Sequence, residues 1–284
     1  GTWLKTGSTG FGNVIGLHGP AGVGKTSLIK NGLAKALNLP FYFLPLGGTS
    51  GGGYLEGHDF TYEGSTWGRI VDILIECKCM NPILFFDELD KISETKYGEE
   101  ITGILTHLTD PTQNNSFHDK YFSGIDFDLS KCLIIFSYNY PEKINPILKD
   151  RIVSVECNGF SLEEKAKIFS EFIFPEFCSL FKFNQEDIII SNNTLIQFIQ
   201  TECKDKGIRS IRQKFQTIFM KLNVLLLKNQ TDDISNKFNI LSKKGIMNYN
   251  CNIELPINLN YNDLKKLSNF SKNKVNPSLQ MMYL

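Results

Sequence analysis

Eight consecutive residues near the start of the sequence, Gly19 to Thr26, satisfy the pattern GxxxxGK[ST]. A strand-like apolar segment, Val14–Leu17, precedes them, and apolar residues at helical spacing follow from Ser27 to Leu37. Glycines in such a loop let backbone N–H groups face a phosphate, and the start of the next helix adds its positive dipole end. We therefore expect a nucleoside triphosphate to be bound here. The contacting residues would be Gly19, Pro20, Ala21, Gly22, Val23, Gly24, Lys25, Thr26 and Ser27.

Two side chains of this motif are expected to act directly on the phosphates and their metal ion. Lys25 would reach the β- and γ-phosphates, and the hydroxyl group of Thr26 would ligate Mg²⁺. The alternative is a glycine-rich turn with a solvated lysine. The strand pattern before the motif and the helix pattern after it argue against that alternative.

Two adjacent carboxylates, Asp87 and Glu88, end another strand-like segment, Ile83–Phe86. We expect Asp87 to hold the hydration shell of Mg²⁺ and Glu88 to polarise the water that attacks the γ-phosphate. Neighbouring acids at a strand end are often solvated surface residues, so this assignment depends on the phosphate-binding motif upstream.

Three further polar residues are candidates for the same chemistry. Asn139 follows the fourth strand-like segment and would orient the attacking water, although asparagine there is also a common turn former. Arg151 precedes the fifth segment and would enter a neighbouring subunit's site as an arginine finger, or form a solvated salt bridge. Arg209 opens the last long helix and would reach the γ-phosphate, with Arg212 as the competing candidate.

The elements that must position these residues alternate between strands and helices. Such alternation indicates an α/β fold with a parallel sheet covered on both faces, and ligands then bind beyond the carboxyl ends of the strands. The expected strands are Val14–Leu17, Phe41–Leu46, Ile83–Phe86, Cys132–Phe136 and Ile152–Cys157, and the expected helices are Ser27–Leu37, Thr66–Cys77 and Glu100–Leu108.

The pattern becomes helical after Cys157. Ser161 and Glu164 have the spacing of a capping box, and two more helical stretches follow near Asn193–Cys203 and Ile208–Lys228, with no convincing strand pair between them. We expect three parts: a large nucleotide-binding α/β domain (1–158), a small helical domain (159–230), and a polar, poorly packed tail (231–284) with one strand at Ile253–Leu255.

Composition narrows the class of protein. The 284 residues carry no formal net charge, which speaks against nucleic acid as the partner, and the apolar runs are too short to cross a membrane. The seven cysteines include one close pair, Cys77 and Cys79, which is more typical of structural residues than of a zinc site. The odd number predicts an intracellular reducing compartment, the cytoplasm or an organelle matrix. The first residue is Gly1 rather than Met, which suggests a fragment or an excised domain.

Several motifs together resemble the ATPase module of the Lon proteases, within the AAA+ superfamily. The long run around DPTQN and DFDLS is far more specific than the phosphate-binding motif, because general AAA+ proteins lack it. The similarity runs almost without gaps from about Val14 to Cys157 and more loosely to about Lys228. The motifs are GPAGVGKTS, LGG, GH (Gly57, His58), TY (Thr61, Tyr62), DELDK, DPTQN, HDKYF, DFDLSK and GIRSI.

The resemblance implies a P-loop NTPase fold with a five-stranded parallel sheet in the order 5-1-4-3-2, sandwiched by helices and followed by a helical lid. It also implies a homo-oligomeric ring, usually a hexamer. Asn139 matches the sensor-1 position, Arg151 the arginine finger and Arg209 the sensor-2 arginine, which favours Arg209 over Arg212. Tyr62 matches the pore-loop aromatic residue that grips substrate, whereas Glu63 stands where the family favours an apolar residue.

The function expected from the resemblance is Mg²⁺-dependent ATP hydrolysis that drives unfolding and translocation of unfolded or damaged proteins. No peptidase activity is expected from this chain, because only a short polar tail follows the lid. The altered residues of the pore loop leave an alternative, a nucleotide-gated scaffold that no longer threads substrate. A nucleic-acid remodeller is disfavoured by the zero net charge and the lack of a basic run.

Overall fold

The computed structural model describes residues 14–49, 51–230 and 255–269. The polypeptide divides after Gly159 into two compact units. The first unit contains the predicted parallel sheet, and the second is mainly helical. Among the described residues we find no helix with both the length and the apolar character needed to span a bilayer.

Five parallel strands form the sheet of the first unit: β1 (Val14–His18), β2 (Phe41–Pro45), β3 (Ile83–Asp87), β6 (Leu133–Tyr138) and β7 (Val153–Glu156). Their order across the sheet is β2-β3-β6-β1-β7. Strands β6 and β7 are the fourth and fifth of the predicted strands, so the expected order 5-1-4-3-2 is confirmed. Because the strands are parallel, their carboxyl ends lie along one edge.

Both faces of this sheet are covered, as strand β3 shows. Its residues Ile83 and Phe85 belong to one apolar cluster, whereas Leu84 and Phe86 belong to another, and all four are fully buried. Successive side chains of a strand point to opposite faces, so the two clusters lie on opposite sides of the sheet. A continuous apolar strand of this kind is typical of a parallel sheet buried on both faces.

The helices of the first unit differ from the predicted ones mainly at their starts. The helix expected at Thr66–Cys77 begins at Arg69 because Gly68 has an extended conformation, and the helix expected at Glu100–Leu108 begins earlier, at Lys96. The helical segments are Lys25–Ser27, a π-helical stretch Leu28–Leu33, Ala34–Leu37, Gly53–Glu56, Arg69–Cys77, the 3₁₀ turn Leu89–Lys91, Lys96–Thr109, the 3₁₀ turn Pro141–Lys143, and Pro146–Arg151.

A short antiparallel hairpin that the sequence pattern does not predict precedes β6. Its strands are β4 (Phe117–His118) and β5 (Asp126–Phe127). Two-residue strands are too short to show an alternating pattern, which explains why they were not expected.

The second unit is a helical bundle with an aromatic core. Its first helix starts with the predicted capping box, because Ser161 accepts a hydrogen bond from the backbone of Glu164 and Glu164 accepts one in return. Phe169 packs on Phe215, with ring centroids 4.0 Å apart. The helical segments within the described part of this unit are Leu162–Ile168, the π-helical stretch Phe169–Ile173, Phe174–Phe181, Asn192–Glu202, Arg209–Gln230 and Tyr261–Ser268.

Residues 255–269 correct the expectation of a poorly packed tail. Leu259, Leu264 and Leu267 are buried in the core of the second unit, and strand β9 (Ile257–Asn258) pairs in parallel with β8 (Ile188–Ile189). Asn260 starts the helix Tyr261–Ser268 with a second capping box. The polar composition concealed three well-spaced leucines. Residues 231–254 and 270–284 of the expected tail lie outside the described residues. Of the strand expected at Ile253–Leu255, only Leu255 is described.

Candidate nucleotide site

The loop after β1 has the backbone of a phosphate cradle. Gly19, Gly22 and Gly24 have φ values of 145°, 80° and 87°, which side-chain-bearing residues rarely adopt. A Cβ atom on Gly19 would lie 2.1 Å from the carbonyl oxygen of Cys157, so only glycine fits there. The helix that begins at Lys25 follows directly. The loop lies at the carboxyl edge of the sheet, where the sequence predicted it.

Lys25 is the charged residue of this loop, and it is buried, with 8% of its surface exposed. Its Nζ atom donates hydrogen bonds to the carbonyl oxygens of Gly19 (2.6 Å) and Pro20 (3.2 Å) and to Oδ1 of Asn139 (2.8 Å). Burial lowers the pKa of Lys25, because it disfavours the charged form. The ammonium is held among neutral oxygen acceptors, the kind of contact that a phosphate oxygen can replace.

Asp87 lies at the end of β3, on the same edge of the sheet. Its Oδ1 atom accepts hydrogen bonds from the backbone of Glu88 (3.0 Å) and from the hydroxyl group of Ser137 in the neighbouring strand β6. Its charge acts on Lys25 by opposing the loss of the proton. Oδ2 has no hydrogen-bond partner among the described residues. Together with the Thr26 hydroxyl, this carboxylate supplies the oxygen donors that Mg²⁺ prefers.

Glu88 has a backbone conformation that is unusual for its residue type. Its φ is 60°, in the left-handed region, and non-glycine residues held there are often part of active sites. Its Oε1 atom pairs with Nζ of Lys91 at 3.2 Å. A Cβ atom on Gly47 would lie 2.2 Å from its other oxygen, so glycine at this position makes room for the carboxylate. Glu88 thus projects from the sheet edge beside Asp87.

Two residues that sequence reasoning did not place in the site complete it. Asp90 is buried, and its Oδ2 atom accepts hydrogen bonds from the backbone N–H groups of Asn139 and Tyr140, each at 3.2 Å. Ser137 binds Asp87, as described above. Asp90 lies within the DELDK run, and the signal that could have revealed it is a carboxylate one turn beyond Asp87.

The two arginines that the sequence assigned to the site are not part of this cluster. Arg151 lies elsewhere in the first unit, and Arg209 lies in the second unit. Arg151 precedes β7 and therefore lies towards the amino edge of the sheet. It pairs with Asp110 at 3.1 Å and donates to the carbonyl oxygen of Thr106. Arg209 is the first residue of the helix Arg209–Gln230, and its side chain has no ion-pair partner among the described residues.

Arg212, the competing candidate, is bound within the helical unit. Its guanidinium forms a two-pronged pair with Glu176, which raises its pKa, and it lies over the ring of Phe177. Arg209 therefore has the more available side chain of the two.

Tyr62 projects from an exposed loop between the helices Gly53–Glu56 and Arg69–Cys77, with 71% of its surface exposed. Asp59 shapes the turn before it by accepting hydrogen bonds from the backbone and hydroxyl of Thr61, and these bonds lower the pKa of Asp59. Glu63 follows on the same turn and is also exposed. An exposed aromatic ring on a turn of fixed shape can contact a polypeptide.

Comparison with known proteins gives two results. The model of the family described as "ATPase family associated with various cellular activities (AAA)" matches residues 15–158. The chain is 40% identical over 225 residues to a Lon protease homolog of Acanthamoeba polyphaga mimivirus, covering 79% of this chain and 22% of that protein. It is 36% identical over 221 residues to Lon protease of Campylobacter concisus, covering 77% of this chain and 27% of that protein.

A mitochondrial Lon protease homolog of Kluyveromyces lactis is 33% identical over 222 residues, which is 78% of this chain and 20% of the relative. The chain thus spans between about a fifth and a quarter of the length of these relatives. With the sheet order and the Lys25, Asp87 and Asn139 cluster, these matches establish that the chain belongs to the AAA family of ATPases and is an ATPase module related to the Lon proteases.

Proposed function

We propose that this chain is the motor of a protein-remodelling machine, which hydrolyses ATP in the presence of Mg²⁺ and uses the energy to unfold and translocate polypeptide. The observation that carries the proposal is the hydrogen bond between Lys25 and Asn139, next to Asp87 on the adjacent strand. It brings the phosphate-binding lysine and two groups from other strands to one edge of the sheet.

Each residue of the cluster has a distinct role in the proposed reaction. Lys25 exchanges the carbonyl oxygens of Gly19 and Pro20 for phosphate oxygens when ATP binds. Thr26 and Asp87 would hold Mg²⁺, which neutralises charge on the phosphate oxygens. Glu88 accepts a proton from the attacking water, and Asn139 orients that water.

Arg151 completes the site of a neighbouring subunit in a ring homo-oligomer, a hexamer by analogy with the family. Its position towards the opposite edge of the sheet supports action on a neighbour rather than on its own phosphates. To act there it must leave Asp110 and the carbonyl of Thr106. We assign Arg209 to the γ-phosphate of its own subunit, as the sensor-2 arginine.

The partner is an unfolded or damaged protein, gripped by the loop that carries Tyr62. The high exposure of this ring supports the role, whereas Glu63 beside it offers no apolar grip. The free cysteines at 77, 79, 132, 157, 178 and 203 favour a reducing compartment. The similarity to a mitochondrial Lon protease homolog is consistent with an organelle matrix as that compartment.

The second candidate function is a nucleotide-gated scaffold, favoured by Glu63. Steady-state ATP turnover with and without casein separates the two. Stimulation by casein that is lost in Tyr62→Ala supports the motor. Phe172→Ala is the matched control, because Phe172 is an aromatic residue 66% exposed in the second unit, outside the loop, and it should retain stimulation. Tight ATP binding without any stimulation would favour the scaffold.

A further inference from the structure

The loop that carries Tyr62 is closed at its base. We call residues 57–68 the Tyr62 loop. Two contacts join its ends. His58 donates its backbone N–H to the carbonyl of Thr66, at 3.1 Å. Gly57 and Gly68 lie back to back, since a Cβ atom on Gly57 would come 2.7 Å from the backbone nitrogen of Gly68. The two ends are thus held together, and the tip with Tyr62 projects from them.

A buried carboxylate from the hairpin holds this base. We call residues 117–127 the hairpin. Asp119, with 1% of its surface exposed, accepts a hydrogen bond from the backbone N–H of Gly68 at 2.8 Å through Oδ2. Its Oδ1 atom accepts from the N–H of Tyr121 at 2.9 Å. Both oxygens are therefore used, one on the Tyr62 loop and one on the hairpin, which offsets the cost of burying the charge.

Aromatic packing adds a second connection between the same two segments. Trp67, the residue before Gly68, contacts the rings of Tyr121 and Phe122 at centroid distances of 5.8 and 5.9 Å. Phe122 in turn packs on Phe127, across the hairpin, at 6.1 Å. These distances are typical of favourable aromatic pairs.

Lys120 supplies a third connection. Its backbone N–H donates to the carbonyl of Glu56 at 2.7 Å, and its ammonium lies 3.5 Å from the carboxylate of Glu56 and 3.0 Å from that of Glu100. Glu100 also accepts the backbone N–H of Gly52 at 3.0 Å. The residues just before the Tyr62 loop are thereby attached to the same part of the hairpin.

We infer that Asp119 is a positioning residue, which locks the Tyr62 loop to the hairpin so that the two bind polypeptide as one rigid element. The role in polypeptide binding rests on the proposed function, whereas the locking does not. The hairpin leads after Phe127 towards β6, whose last residue, Tyr138, is followed directly by Asn139 in the nucleotide site. The locked element is therefore continuous in sequence with the strand that carries a nucleotide-site residue.

Trp67 provides a direct test of the locking. The chain has two tryptophans, Trp3 and Trp67, so in a Trp3→Phe background the fluorescence reports only on Trp67. In Asp119→Asn the new side chain has the same size as the old one. Its amide N–H₂ replaces one carboxylate oxygen and so faces one of the two backbone donors, the N–H groups of Gly68 and Tyr121. Losing one charge-assisted hydrogen bond should release the loop, and we expect acrylamide quenching of Trp67 to rise about twofold.

The matched control is Asp126→Asn, the same substitution at an exposed residue of the same hairpin, which pairs with His118 at 2.8 Å. It should leave the quenching unchanged. Should Asp119→Asn fail to fold, as judged by circular dichroism, Asp119→Ser offers a smaller acceptor and the same measurement. Quenching in a folded Asp119 variant that equals the parental value would overturn the locking.

Titration of the ATPase with casein tests the second half of the inference. We expect the casein concentration for half-maximal stimulation to rise about threefold or more in Asp119→Asn and to stay unchanged in Asp126→Asn. Increased quenching with an unchanged half-maximal concentration would refute the role in polypeptide binding. A parental chain that casein does not stimulate would contradict the proposed function instead, and the Trp67 signal would still decide the locking.

Discussion

The Nζ atom of Lys25 lies 2.8 Å from Oδ1 of Asn139, although 114 residues separate the two in the sequence. The contact follows from the strand order, because β6 lies directly beside β1 and both end at the same edge. A triphosphate would need the same ammonium group. Asn139 therefore lies where the phosphates must approach Lys25, and a negative charge introduced at this position should lower nucleotide affinity as well as turnover.

Asn139→Asp should weaken ATP binding. The new carboxylate would pair with Lys25 and repel the phosphates, and we expect the Kd for ATP to rise about tenfold, or about 1.4 kcal/mol. Asn139→Ala is the control: Lys25 keeps its two carbonyl contacts, so turnover falls while the Kd changes little. Fluorescent-nucleotide titration measures both values. Equal affinities of Asn139→Asp and the parental chain would show that the contact does not influence binding.

ATP affinity should decrease with rising pH earlier than an ordinary lysine would predict. Phosphate binds the ammonium form of Lys25, and burial lowers the pKa of this group from its usual 10.5. The charge is therefore present below the lowered pKa and lost as the pH rises through it. We expect the affinity to fall as the pH rises through this lowered pKa, and so at a lower pH than an exposed lysine would give.

The pH dependence is measured as the Kd for ATP between about pH 7 and 10, with Lys25→Arg as the control because guanidinium stays protonated. ATP binding to Lys25→Arg should be weaker than to the parental chain but independent of pH over this range. Both proteins need a Cys157→Ser background, since this thiol interacts electrostatically with Lys25 and burial raises its pKa from 9.0. An identical pH profile in Lys25→Arg would assign the effect to another group.

Arg151→Ala should remove most ATPase activity, because arginine fingers contribute about 10³–10⁵ in rate. Its pair with Asp110 is partly exposed, so the expected loss of folding stability is only about 0–1 kcal/mol. Mixing with Lys25→Ala subunits should restore part of the activity, since each variant supplies what the other lacks. Lys149→Ala, an exposed residue of the same helix, is the control and should stay active. Absence of rescue in mixed rings would argue against a shared site.

Residues 255–269 show where sequence patterns fail. The long central strands were predicted within one or two residues because their apolar runs are continuous, as in Ile83–Phe86. Leu259, Leu264 and Leu267 are the fully buried leucines of a segment rich in Asn and Lys, and their spacing is too sparse to reveal a packed helix. Asp90 was not predicted for another reason. It binds the backbone N–H of Asn139, and the two residues are far apart in the sequence and adjacent only in the folded chain.

Leu264→Ala tests this packed segment. The side chain is fully buried, and its truncation should lower the free energy of unfolding by about 2–5 kcal/mol. Lys266→Ala on the exposed face of the same helix should change it by less than about 0.5 kcal/mol. Chemical denaturation of both variants gives the comparison. A stability of Leu264→Ala equal to that of the parental chain would mean that 255–269 does not belong to the core.

The proposed function requires that Lys25, Asp87, Glu88 and Asn139 form one site that binds and hydrolyses ATP. The most direct test is Glu88→Gln, measured for ATP affinity and turnover in the same preparation with Mg²⁺ present. The amide keeps the size of the side chain but cannot accept the proton of the attacking water. We expect parental affinity and a turnover reduced by at least about 100-fold. Turnover at the parental rate would contradict the assignment of ATP hydrolysis to this site.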